Sequence, residues 1–205
     1  MIALILFIVA TFVLISLYKS LGKNEYSTLQ EKIVIKPAVE VSNKGNNAQN
    51  SAYSNQIAPK ILELKNIYPD FVAEVFIKEA EQTFDDVFNA FASSQHQVLK
   101  SKLSESLYEQ FASQIKKRED NNLRQEISIV HKNTEIENVK INSLEVELTV
   151  KFVVEQVSAM VDVNGVSYDN PSKLARKVQH TWVFVSHNNE LPTKWIITKT
   201  SAKEI

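Results

Sequence analysis

The side chains in this sequence best suited to chemistry are four histidines, two carboxylates near strand ends and three aromatic residues in its last third. His96 lies in the polar stretch SSQHQ, read as a turn. His131 sits in a strand and is followed by Lys132, and His180 and His187 stand towards the two ends of VQHTWVFVSH. Imidazole is the usual acid, base or metal ligand near neutral pH. In a regular strand His180 and His187 fall on opposite faces, so they share a metal only across a bulge. All four are therefore read as structural or surface residues. Glu155 and Asp162 are within reach of a cavity, but carboxylates at strand ends are more often surface or turn groups. Trp182, Phe184 and Trp195 read as core or cavity lining, because aromatics alternating along strands most often pack.

What is absent narrows the function further. The chain has no GxxxxGK[ST], GxSxG or HExxH pattern and only three glycines, so no phosphate-cradling loop is expected. It has no cysteine, which removes thiol nucleophiles, thiolate metal sites and disulfides and suits a reducing compartment. No catalytic residue, cofactor site or metal site is assigned, and the protein is expected not to be an enzyme. Residues 60–205 carry 18 Lys and Arg against 21 Asp and Glu, net −3, which argues against a nucleic-acid partner. Within that acidic body Lys173, Arg176 and Lys177 make a small basic edge, a candidate surface for an acidic partner as against an ordinary solvated edge.

The elements that would position these groups begin with MIALILFIVATFVLISLY, eighteen residues without a charge. As a helix they reach roughly 27 Å, close to the hydrocarbon thickness of a bilayer. No basic residue precedes the run and no small-x-small cleavage site follows it, so residues 1–19 read as a transmembrane anchor, the alternative being an uncleaved signal-like segment. Lys19 and Lys23 on the C-terminal flank place the remainder on the cytoplasmic side by the positive-inside rule. The expected location is a single-pass protein of the inner (cytoplasmic) membrane. Residues 20–59, with VSNKGNNAQNSAYSNQ as their most polar stretch, read as a flexible polar linker spanning roughly 35 Å on average.

Residues 60–205 read as one α+β domain. After Pro69 and Asp70, the residues Val72, Val75, Phe76, Ala80, Thr83, Phe84, Val87, Phe88 and Phe91 recur at helical spacing, with Glu74, Lys78, Glu81, Asp85 and Asp86 on a solvated face. Residues 97–102 add a short helical turn around Leu99. LSESLYEQFASQIKKRE gives a second helix with Ser104 as N-cap and Leu103, Leu107, Phe111 and Ile115 on one side. From Glu126 the period becomes two, with Leu144, Val146, Leu148, Val150 and Phe152 on one face. Asn164-Gly165 marks a hairpin, and HTWVFVSH and KWIITKT supply two more strands. Helices first and at least four antiparallel strands afterwards predict a long helix lying on a sheet.

The order of the anchor, SLGK, the polar tether, FIKEAEQTFDDVFNAFASSQ, LSESLYEQFASQIKKRE, ELTVKFVVEQVSA and HTWVFVSHNNELPTKWIITKT resembles the Tim forty-four and TimA family. That family comprises the tethering subunit of the mitochondrial inner-membrane import motor and its membrane-anchored bacterial relatives. Phe76, Ala80, Phe84, Phe91 and Ala92 fit its first helix, Leu103, Ser104, Tyr108, Phe111 and Arg118 its second, and Phe152, Trp182, Phe184 and Trp195 its sheet. The chain departs at His180, where an acidic residue is usual, and at Ser186-His187, where an Arg-Asp pair is typical. The resemblance implies a cystatin-like cone of the nuclear-transport-factor-two-like kind, with N-terminal helices packed on a curved antiparallel sheet. It also implies a non-enzymatic scaffold that tethers a protein partner, such as a chaperone or a membrane complex, at the membrane, with lipid contact as a further expectation. The alternative is a binder of small apolar ligands or lipids, whose pocket would be lined by Phe84, Phe88, Trp182 and Trp195.

Overall fold

A computed structural model describes residues 52–167, 169–187 and 194–205. The anchor expected at residues 1–19 and most of the linker lie outside the described residues. Among the described residues no helix is long and apolar enough to cross a membrane.

Among the described residues four helices come first: α1 (Ala58–Ile67), α2 (Ala73–Ala92), α3 (His96–Lys102) and α4 (Glu105–Asp120). They are followed by β1 (Arg124–Ile141), β2 (Glu145–Val161), β3 (Arg176–His187) and β4 (Ile196–Glu204). Each strand pairs antiparallel with the next, in the order β1-β2-β3-β4. The α+β expectation and the four antiparallel strands are realised, with one contiguous core joining helices and sheet.

At twenty residues, about 30 Å, α2 is the main helical support of the sheet. Its buried stripe is Ala73, Phe76, Ile77, Ala80, Phe84, Val87 and Ala90. Val72 and Val75, which the spacing placed on that stripe, are 44% and 53% exposed. The helix starts at Ala73, and the first-turn face that packs is the one carrying Ala73, Phe76 and Ile77. Leu99 at the centre of α3 is fully buried, as expected of the short turn there. Ser104 does stand at the N-cap of α4, in extended conformation, but its side chain makes no capping bond; its backbone N–H donates to the Ile197 carbonyl of β4 at 2.9 Å instead.

Residues 52–59 were assigned from sequence to the linker, but they belong to the body. Ala52 is buried, its carbonyl accepts the Ile136 N–H at 2.8 Å, and Tyr53 pairs in parallel with Ile136. Leu144 is likewise displaced: it is 76% exposed in the β1–β2 turn, where Asn142 Oδ1 accepts the backbone N–H groups of Leu144 and Glu145.

The sheet departs from strict alternation at identifiable places. In β1 the register shifts between Ile129 and His131 and again between Ile136 and Asn138. Each shift inserts one unpaired residue, Val130 and Glu137, bending the strand and changing which parity faces the core. Gln125 is buried on an odd position, Thr134 and Ile136 on even ones and Val139 on an odd one. At the Asn164-Gly165 turn only Gly165 has positive φ, at +79°. The turn is closed by Asp162 Oδ1, which accepts the N–H groups of Asn164 and Val166 at 2.8 Å each. A single bridge, Val161 to Ser167, takes the place of a full hairpin.

Candidate docking groove

The interior beneath α2 is an aromatic cluster. The Phe84 ring lies 4.4 Å from Phe88, 4.5 Å from Phe152 and 4.7 Å from Trp182. Phe84 is completely buried and Trp182 nearly so. Trp195 sits elsewhere, 4.8 Å from Phe76, which in turn meets Phe184 edge-on at 5.6 Å. Of the four residues assigned to a ligand pocket, Phe84, Phe88 and Trp182 therefore come together and Trp195 does not join them. Phe84 and Trp182 fill the space rather than line it.

His180 belongs to the same cluster. It is 5% exposed, edge-on to Phe84 at 5.3 Å and to Phe88 at 5.2 Å. Its Nε2 is 3.2 Å from Gln156 Oε1, and a carbonyl-type oxygen only accepts, so Nε2 carries the donated hydrogen. Burial disfavours the imidazolium and lowers the pKa from 6.5 to about 4. This is a neutral core histidine, and His187, at the exposed end of the same strand, does not share its surroundings. His96 opens α3 rather than lying in a turn, with Nδ1 3.1 Å from the Tyr108 hydroxyl. Among the described residues no group of three His, Asp or Glu is placed to hold a metal.

An open concavity lies beside α2. A groove of about 420 Å³ runs between the C-terminal half of α2 and β1, lined by Asp85, Phe88 and Asn89 on the helix and by residues 127–132 on the strand. Phe88 is the one pocket candidate that reaches it. On its floor the Lys132 Nζ donates to both carboxylate oxygens of Asp85 at 2.8 Å and to the Glu81 carbonyl at 3.1 Å. The same ammonium stands 5.6 Å from the centre of the Phe84 ring. Lys132 thus closes α2 onto β1 with its charge met, and Asp85, assigned from sequence to a solvated face, is one side of that clasp.

A second polar joint holds the far end of α2. The Arg118 guanidinium, buried under α4, donates to the Phe91 carbonyl at 2.8 Å, to Ser94 Oγ at 3.1 Å and to Gln125 Oε1 at 3.3 Å. The cation meets the negative end of the α2 dipole, and burial lowers its pKa from the usual guanidinium value.

Two of the three residues of the basic edge are paired internally. Lys173 Nζ is 2.9 Å from Glu126 Oε2, a hydrogen bond that lowers the Glu126 pKa. Arg176 Nη1 is 3.6 Å from Glu204 Oε2, and Lys177 is exposed and opposite Glu155 in the ladder. Glu155 is exposed, and Asp162 holds its turn, so neither lines the groove.

Among the described residues, four helices on a consecutive antiparallel meander, with an apolar interior and a groove along one sheet edge, define an α+β domain of the helix-on-sheet class. The chain belongs to the Tim44-like domain family, whose model matches residues 58–202. No curated protein matches the chain. Among solved structures, the intermembrane space region of the chloroplast protein ARC6 is similar at a TM-score of 0.45 and 11% identity, covering 63% of this chain and 97% of that one.

Proposed function

We propose that this protein is a membrane-anchored, non-enzymatic adaptor that tethers a protein partner at the inner face of the cytoplasmic membrane, in protein translocation or membrane-protein assembly. Residues 1–19 anchor it in a single pass, and the Tim44-like body faces the cytoplasm. The observation that carries this reading is the family match over residues 58–202, joined to eighteen uncharged residues at the head of the chain. The partner is a protein, with a chaperone or a membrane complex as the expected kinds. Lipid contact near the anchor accompanies that role, and neither a cofactor nor nucleic acid takes part.

Crosslinking the full chain in cells, with a version lacking residues 1–25 beside it, tests the proposal. The expected result is a recurrent chaperone, translocase or membrane complex whose recovery falls when the anchor is removed. Repeated recovery of the full chain alone would sink the adaptor reading. Protease treatment of spheroplasts and of inverted vesicles checks orientation: the body should be cleaved only in the inverted vesicles.

A further inference from the structure

The groove beside α2 has a wall that ordinary helix-on-sheet packing does not produce. Its lining includes every residue of the run 127–132. A sheet face offers alternate side chains, so a wall of six consecutive residues is the edge of the strand, backbone included. β1 is the terminal strand of the sheet. Among the described residues, the backbone hydrogen bond made on its outer edge is the one from the Ile136 N–H to the Ala52 carbonyl. Within that wall, Val130 is bulged out of the ladder and 65% exposed.

We propose that the edge of β1 over residues 127–132 binds an extended, uncharged segment of a partner protein as an added strand, its side chains seated between β1 and α2. The inference rests on the adaptor reading and names the surface that would do the holding. Three observations select this occupant. The complement of a row of N–H and C=O groups without a backbone partner among the described residues is another backbone. The same edge already takes an extended segment a few residues away, where Tyr53 pairs in parallel with Ile136, so an added strand continues an existing mode of pairing. The ion pair in the groove is already matched internally, Asp85 to Lys132. A charged side chain entering there would have to compete with that pair, whereas an uncharged one would meet Phe88, Ile127, Ile129 and Val130 beside the polar Asn89, Ser128 and His131. The bulge at Val130 interrupts the ladder, so the added strand is short.

The test uses the full chain in cells with a photo-crosslinking benzoylphenylalanine at Ser128, which is exposed on the edge, and a control with the same residue at Ser106 on α4. The expected result is a crosslink from position 128, and not from 106, to one extended segment of a partner. With that partner purified, amide exchange over residues 127–132 should slow at least tenfold on binding. The double variant Ser128→Lys and Val130→Lys, both changes at exposed positions, should bind the partner at least tenfold more weakly at an unchanged thermal midpoint. Crosslinks from position 128 to a second copy, to residues 1–51 of this chain or to lipid would overturn the proposal. A partner held equally well by the lysine variant would leave the adaptor reading standing and remove this site. Recovery of no partner by any version would remove both.

Discussion

Replacing His180 by Gln isolates one titration from all others in the protein. In the folded chain the imidazole is sealed between Phe84 and Phe88 and titrates at about 4, against 6.5 for an ordinary histidine. Between those two values the unfolded chain binds a proton that the folded chain refuses, so stability must rise with pH there and be lost as pH falls from about 6.5 towards 4. Above pH 7 both states are neutral and the group contributes nothing. Integrating the two titrations between pH 7 and pH 5 gives a loss of about 2 kcal/mol attributable to His180, approaching about 3 kcal/mol below pH 4. The assay is urea unfolding followed by tryptophan fluorescence at pH 7 and pH 5, for the parent and for His180→Gln. The variant will be less stable at pH 7 if Gln packs poorly, but its drop on acidification should be smaller by about 2 kcal/mol. Parallel losses in the two proteins would refute the argument that His180 is held neutral by burial.

Thr134 Oγ1 is buried with no hydrogen-bond partner among the described residues, so Thr134→Val should stabilise by about 1 kcal/mol and raise the melting temperature by roughly 3 °C. No gain, or a loss, would mean that the hydroxyl is satisfied. Phe84→Ala removes the ring at the centre of the aromatic cluster and should cost about 3–5 kcal/mol in chemical denaturation, and a cost below 1 kcal/mol would contradict the packing described. A Cβ at Gly165 would meet nothing within 4 Å, so Gly165→Ala should cost only the strain of its positive φ, about 1 kcal/mol by the same measurement.

Apolar spacing was enough to give the helices and strands. Phe76, Ala80, Phe84 and Val87 recur at helical spacing and are buried together, and Val146, Leu148, Val150 and Phe152 alternate and face the same core. His180 is buried and His187 exposed, but parity alone does not decide this, because Val185, of the same parity as His187, is buried and His187 stands at the strand end. The candidate site was less legible. Phe88 was identified, but the β1 wall was not. The one signal for it was the Ile129-Val130 doublet, where an alternating pattern places two apolar residues side by side, as a bulge permits.

Local sequence therefore fixed the period and polarity of each element, since those depend on residues a few positions apart. Tertiary structure decided what depends on residues far apart. Val72 and Val75 are apolar yet exposed, because among the described residues no other element covers that side of the first turn of α2. Lys132 is polar yet largely enclosed, because Asp85 stands 47 positions earlier at bonding distance. Arg118 serves the end of α2 rather than its own helix, because α4 brings the guanidinium to the Phe91 carbonyl. The wall of the groove is the edge of β1, and an edge is a property of the sheet order, which no window of sequence contains.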